Sequence, residues 1–267
     1  MTFLLVGRRC SRMHRASLGA ALAAAALAGC TATDMPSPQP SGSRSMVTGP
    51  STVAPTPSLL PTPSPLPSPS TTEAAAGVVR VAELVDPAWI AEMAARVDVP
   101  ERAMAAYAGA SVAVAEDFPD CNLAWNTLAA IGFVETLHGS WNGASLADDG
   151  LVSPPILGIP LDGNGTIAVR DTDDGLLDGD TTWDRAVGPM QFIPSTWEIY
   201  GRDGNGDGTV DPHQIDDAAY SAAVYLCDVG GDLDDRERWI AAVNAYNPSV
   251  AYNNKVVEVA NRYAEAG

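Results

Sequence analysis

Between residues 31 and 76 the chain is built from proline, serine and threonine, as in Pro61-Thr62-Pro63-Ser64-Pro65-Leu66-Pro67-Ser68-Pro69, and this stretch limits where a fold can form. Such a composition cannot bury enough apolar surface to offset the entropy of ordering it. Residues 30–76 are therefore expected to be a disordered, locally extended linker. Any core must come from residues 77–267, roughly 190 residues, which suits one domain. At about 3 Å per residue the linker could hold that domain on the order of 100 Å from a membrane.

Residues 1–29 read as an export signal. Arg8, Arg9, Arg12 and Arg15 precede an Ala/Leu run over 16–28 that is too short to span a bilayer. The run ends in Leu27-Ala28-Gly29-Cys30, which resembles a bacterial lipobox. Cleavage before Cys30 and lipidation of its thiol are expected, with an ordinary signal cut near Ala28 as the alternative. The expected location is the outer face of the cytoplasmic membrane, in the cell envelope. Of four cysteines, Cys10 leaves with the signal and Cys30 takes the lipid. Cys121 and Cys227 remain as an even pair in an exported domain, so a disulfide is expected. Closing a loop of about 106 residues would contribute up to roughly 4–5 kcal/mol by chain entropy.

A formal net charge of −18, with acids crowded between Asp148 and Asp235, argues against nucleic acid as a partner, because no basic stripe exists to replace its counterions. An anionic polymer would have to be held by hydrogen bonds and stacking. Helical patterns dominate the rest, so the class is mainly α. Asp86-Pro87 reads as a cap followed by Pro at the first helical position. A second helix is expected from about Pro100 to before Pro119, a third across 124–138, and others over 195–200, 215–226, 236–246 and 252–264. Gly139 to Asp184 is a long Gly/Asp/Pro-rich excursion with at most a short strand at Thr166–Val169. Loops of that length are usually functional or ordered by metal.

In the third helix Leu128, Ile131 and Glu135 share the face that apolar neighbours bury. Burial of a carboxyl group favours its neutral form. An acid that keeps its proton near neutrality suits cleavage of a glycosidic bond, whose leaving oxygen must be protonated as the bond breaks. A partly exposed Glu at a helix end, or one tied to an Arg, is the structural alternative. In Arg185 to Trp197, Gly188-Pro189 sets a tight turn, and Gln191 is a donor and acceptor between Met190 and Phe192. Sugar amides and hydroxyls suit that lining, while a packed turn with Gln191 bonded to backbone is the plainer reading. Tyr246 and Asn247 end a helix before Pro248; the phenol could stack on a sugar, and the amide could cap the helix or bind ligand.

Asp203 to Asp211 matches the first nine positions of an EF-hand calcium loop. Asp203, Asn205, Asp207 and Asp211 stand at positions 1, 3, 5 and 9, Gly208 at 6 and the Thr209 carbonyl at 7. Gln214 occupies position 12 in place of a bidentate Glu. A second acidic run, Asp171 to Asp180, lacks the loop spacing and reads as a solvated or cleft-edge segment.

The order of Gly132-x-Val134-Glu135-Thr136, then Gly188-Pro189-Met190-Gln191-Phe192-Ile193-Pro194-Ser195, then Ala245-Tyr246-Asn247 resembles the membrane-bound lytic murein transglycosylases of type B, within the lysozyme-like transglycosylases. The resemblance covers nearly all of 80–267. It implies a mainly α, lysozyme-like domain in which Glu135 is the single catalytic acid. Gln191, Tyr246 and Asn247 are implied along the glycan cleft, with Met190 and Phe192 helping to wall it. The residue after the Glu often differs among relatives, which leaves the role of Thr136 open. The implied reaction cleaves the β-1,4 bond between N-acetylmuramic acid and N-acetylglucosamine in peptidoglycan and closes a 1,6-anhydro ring. No catalytic cofactor is implied. The resemblance also implies a calcium loop whose last carboxylate arrives late on the next helix, at Asp217, with Asp216 or Gln214 as alternatives. A monomer is expected. Two other readings stand beside it: a muramidase on the same fold that activates water with Glu135, and a non-catalytic peptidoglycan-binding lipoprotein.

Overall fold

The protein is described here by a computed structural model over residues 79–266; the expected export signal (1–29), linker (30–76) and Cys30 lie outside the described residues. Helices dominate. Helix α1 (Pro87–Val97) starts as the sequence predicts: Asp86 accepts hydrogen bonds from the Ala88 and Trp89 amides at 2.8 and 3.2 Å, and Pro87 sits at the first helical position. Helix α2 (Glu101–Asp117) lies against α5 (Ile215–Gly230). Alanines 103, 106 and 110 of α2 and 218, 219, 222 and 223 of α5 are fully buried. Their short side chains let packed helices approach closely.

Helix α3 (Trp125–Thr136) is the central element. It packs on α2 and on α7 (Val250–Ala266), and nearly every residue from Trp125 to Gly132 is buried, so it is covered all round rather than amphipathic. The Trp125 ring stacks on Tyr263 at 6.3 Å, and Asn126 Nδ2 donates to the Ala260 carbonyl at 3.1 Å. Short α4 (Pro194–Tyr200) and α6 (Arg236–Tyr246), capped by Asp235 on the Glu237 and Arg238 amides at 3.0 Å, complete the helical body. Cys121 and Cys227 form the expected disulfide, with Cα atoms 5.4 Å apart, and join the α2–α3 connection to α5. No described helix is long and apolar enough to cross a membrane.

The excursion over 139–184 departs from expectation. Thr166–Val169 forms no strand. Its partner segment meets it only at the Asp162–Ala168 bridge, and a strand needs a run of such pairs. The two-residue strands that do form are β1 (Ser145–Leu146) and β2 (Val152–Ser153), paired antiparallel. Asp side chains accepting from amides two residues on, as Asp162 does from Asn164 at 2.8 Å and Asp180 from Thr182 at 3.0 Å, order much of the remainder.

A close approach between Val81 and α2 sets one testable limit. A Cβ at Gly109 would lie 1.7 Å from the Val81 carbonyl oxygen, a backbone atom that cannot swing aside. Alanine at 109 gains about 1 kcal/mol of helix propensity, but overpacking costs roughly 1–3 kcal/mol. Gly109→Ala is expected to lower the denaturant midpoint despite the better helix former; a midpoint at or above the parent's would refute the contact.

Candidate active site

Glu135 is the penultimate residue of α3 and only 4 % exposed. Two phenols face it. Burial first, and the Glu135 charge next, push both Tyr246 and Tyr252 well above the usual phenol range, so each hydroxyl keeps its proton beside the carboxyl. Tyr252, on α7, makes no hydrogen bond of regular geometry, yet Glu135 lies close enough to act on it. Tyr246, at the end of α6, donates to the Met190 carbonyl at 2.7 Å. Its ring makes edge contacts with Phe192 and Tyr225 at 6.0 and 5.6 Å.

The second motif folds into a closed four-residue turn. Val187 and Phe192 exchange backbone hydrogen bonds at 2.8 and 3.0 Å, with Gly188 to Gln191 between them. Gly188 has φ +76°, and a Cβ there would lie 1.8 Å from the Pro212 carbonyl, so both conformation and space demand glycine. Gln191 also takes a left-handed φ of 52°. Its Nε2 donates to the Gly188 carbonyl at 2.9 Å, and a Cβ on Gly158 would sit 3.2 Å from its Oε1. The plainer reading of Gln191, an amide tied to backbone, thus describes part of what it does.

Consecutive carbonyls of this turn are gripped by the other two motifs. Thr136 Oγ1 donates to the Pro189 carbonyl at 2.7 Å and accepts from the Gly139 amide at 2.9 Å. Tyr246 takes the next carbonyl, that of Met190. Thr136 therefore bolts the acid's helix to the turn. A groove opens beside it, lined by Gln191, Phe192, Ile193, Thr196, Tyr225, Ala245 and Tyr246.

Not every expected cleft residue faces that groove. Met190 is fully buried, so its side chain belongs to the core, and the carbonyl is the part of it that serves the site. Phe192 is 3 % exposed and reaches the groove only at its edge. Asn247 accepts from the Ser249 amide at 3.0 Å, and its carbonyl accepts from Asn253 Nδ2 at 2.8 Å, which makes it the joint between α6 and α7. Tyr252 was not foreseen. With Val256, Val259 and Tyr263 it falls at helical spacing, a pattern that reads as core.

The loop from Asp203 to Asp217 carries the donor set of a hard cation. Asp203, Asn205 and Asp207 turn their oxygens inward onto loop amides, as from Gly208 to Asp203 at 2.8 Å and from Thr209 to Asp207 at 2.7 Å. Gly208 has φ +87° with open space around it. Asp217, 1 % exposed in the first turn of α5, accepts from the Gly204, Asn205 and Asp211 amides at 2.8, 3.2 and 2.8 Å. Burial pushes its pKa up to about 6 and Asp203 adds repulsion, so a cation would suit this convergence. The alternatives for the last ligand are engaged elsewhere. Asp216 pairs with Arg102 of α2, at 2.8 Å through Nη1, and Gln214 caps α5 on the Asp216 amide at 3.2 Å. Among the described residues the carboxylates that converge most closely belong to the other acidic run and its end, Asp171, Asp173 and Asp184. They are laced to nearby groups, Asp184 accepting from the Thr172 amide and hydroxyl at 2.9 and 2.8 Å.

With this geometry in place, a family comparison bears on the motifs. Residues 173–255 match the family model described as the transglycosylase SLT domain, the segment that carries the second and third motifs. The match agrees with the resemblance to transglycosylases over that segment; the first motif, with Glu135, precedes it. Among solved structures the chain is similar to the Escherichia coli lytic transglycosylase Slt35 in complex with bulgecin A, at 14 % identity over 73 % of this chain and 81 % of that one, with a TM-score of 0.41. No curated protein matches.

The Thr136 bridge is open to direct test. Thr136→Val keeps the shape and deletes a hydroxyl that serves two buried backbone groups, an expected loss of about 1–3 kcal/mol in urea unfolding. A loss near zero would mean that the bridge contributes nothing.

Proposed function

We propose that the chain is a peptidoglycan lytic transglycosylase that cleaves the β-1,4 bond between N-acetylmuramic acid and N-acetylglucosamine and leaves a 1,6-anhydro-muramyl end. The observation that carries this reading is the burial of Glu135 against Tyr246, a residue that also lines the groove and grips the Gln191 turn. As a neutral acid, Glu135 gives its proton to the leaving glycosidic oxygen. As a carboxylate, it then takes the proton of the muramyl 6-hydroxyl while that oxygen attacks the anomeric carbon. The bond to the leaving sugar breaks, the 1,6 bond forms, and no water is consumed. Tyr252, held protonated, offers its hydrogen bond to the carboxylate between the two proton transfers, while the one O–H of Tyr246 stays on the Met190 carbonyl. Gln191, Phe192 and Tyr246 form the sugar-binding wall.

In the same proposal Asp203, Asn205, Asp207, the Thr209 carbonyl and Asp217 hold a calcium ion with a structural role; neutralising the clustered carboxylates is all the chemistry it supplies. Cys30 carries a lipid that anchors the domain outside the cytoplasmic membrane, and the linker over 30–76 gives it reach into the wall. This localisation and the calcium ion rest on sequence and donor chemistry.

Digestion of purified peptidoglycan with mass spectrometry separates the possible activities. Anhydro-ended muropeptides are expected, and Glu135→Gln should reduce their release by roughly 10²–10⁴-fold. Reducing ends alone would replace this reading with a hydrolytic muramidase, and an unchanged Glu135→Gln chain would leave a binding protein. For the loop, a ligand bound only by the folded state raises the melting temperature. Added calcium is expected to raise it and Asp217→Asn to abolish that shift; identical curves with calcium and with chelator would remove the ion from the account.

A further inference from the structure

The chain leaves α3 by an uncommon route. Leu137, His138 and Gly139 follow Glu135 and Thr136 with φ of 52°, 60° and 83°, three consecutive left-handed residues, two of which carry a Cβ. Such backbone is costly and persists only where neighbours hold it. Thr136 supplies one hold. His138 supplies the other: it is 3 % exposed, its amide donates to the Gly132 carbonyl at 3.0 Å, and its ring is wedged between two tyrosines. Nδ1 lies 3.2 Å from the Tyr107 hydroxyl on α2, and Nε2 lies 3.2 Å from the Tyr263 hydroxyl on α7.

A neutral imidazole has one N–H and one bare nitrogen, so one phenol must donate to the ring while the other accepts from it. The chain α2–His138–α7 is thereby directional and satisfied at both ends. Gly132, in the first motif, makes room for it: a Cβ there would lie 2.1 Å from the Tyr107 hydroxyl. Tyr263 and Tyr252 sit about three turns apart on α7, hence on one face, so the helix that grips His138 is the helix that presents Tyr252 to Glu135.

We propose that His138 is a positioning residue for Glu135, its two-tyrosine cradle fixing the exit of α3 and with it the carboxyl's alignment to Tyr252 and Tyr246. This rests on Glu135 being the acid of the proposed reaction. The groups facing the ring are the Tyr107 phenol from α2, the Tyr263 phenol and the Arg262 cation from α7, and Phe133 from α3 itself. Burial first, then Arg262, push the imidazole down to about 4 from 6.5. A depressed folded-state pKa means that the unfolded chain binds the proton first. The stability owed to the neutral ring is therefore whole above about 6.5 and declines as the pH falls toward about 4.

The test uses the full chain and peptidoglycan turnover, with near-ultraviolet circular dichroism to confirm folding. His138→Phe fills the site and removes both nitrogens; His138→Gln keeps one donor and one acceptor; Tyr107→Phe cuts one link. Misalignment on the order of 1 Å costs up to about 100-fold, so His138→Phe is expected to lower kcat roughly 10- to 100-fold with KM unchanged. His138→Gln should recover part of the loss, and Tyr107→Phe should move kcat in the same direction. Parental kcat in folded His138→Phe, with only the melting temperature reduced, overturns the positioning role. If that variant does not fold, parental kcat in Tyr107→Phe overturns it instead. Glu135→Gln is run beside them: full turnover there would overturn the assignment of the acid and the positioning role with it. Normal turnover by His138→Phe in a chain that Glu135→Gln silences would overturn the positioning role only.

Discussion

Two hydroxyls on two successive carbonyls hold the site together. The turn from Gly188 to Gln191 presents Pro189 O to Thr136 and Met190 O to Tyr246, so a helix that carries the acid and a helix that carries the phenol meet on one short piece of backbone. Buried carbonyls left without donors would each cost on the order of 1–3 kcal/mol, which gives the arrangement a thermodynamic as well as a geometric basis. The third side of the turn is Gly188 against Pro212, at the end of the acidic loop.

Glu135 is buried near the end of α3, and phenols of α6 and α7 that keep their protons face it. In the proposed reaction this one carboxyl both gives and takes the proton. Much of the acidic surface lies in turns where Asp side chains accept from neighbouring amides, as along 162–184, so the charge that dominates the composition is largely spent on ordering loops.

Local features were legible in the sequence. Asp86 before Pro87, the start of α2 after Pro100 and the helix around Glu135 are all short-range signals, and the disulfide joins the two cysteines left once Cys10 and Cys30 are set aside for the expected signal and lipid. In the acidic loop Asp217 turns inward onto loop amides, while Asp216 pairs with Arg102, a partner far off in sequence. What escaped was long-range. Thr136 reaches Pro189, His138 spans Tyr107 and Tyr263, and Tyr252 faces Glu135; none of these pairs leaves a periodic mark. Met190 illustrates the converse, since its place in a motif suggested a cleft wall while its apolar side chain found the core. At 166–169, where at most a short strand is expected, a single bridge to Asp162 forms.

The most direct measurement is a crystal structure of the Glu135→Gln chain with a peptidoglycan glycan fragment bound. The account predicts a glycosidic oxygen within about 2.6–3.2 Å of the residue 135 side chain, with the sugar against Gln191 and Tyr246. A fragment bound elsewhere, or a residue 135 side chain cut off from the sugar by an intact Tyr246 and Tyr252, would contradict it.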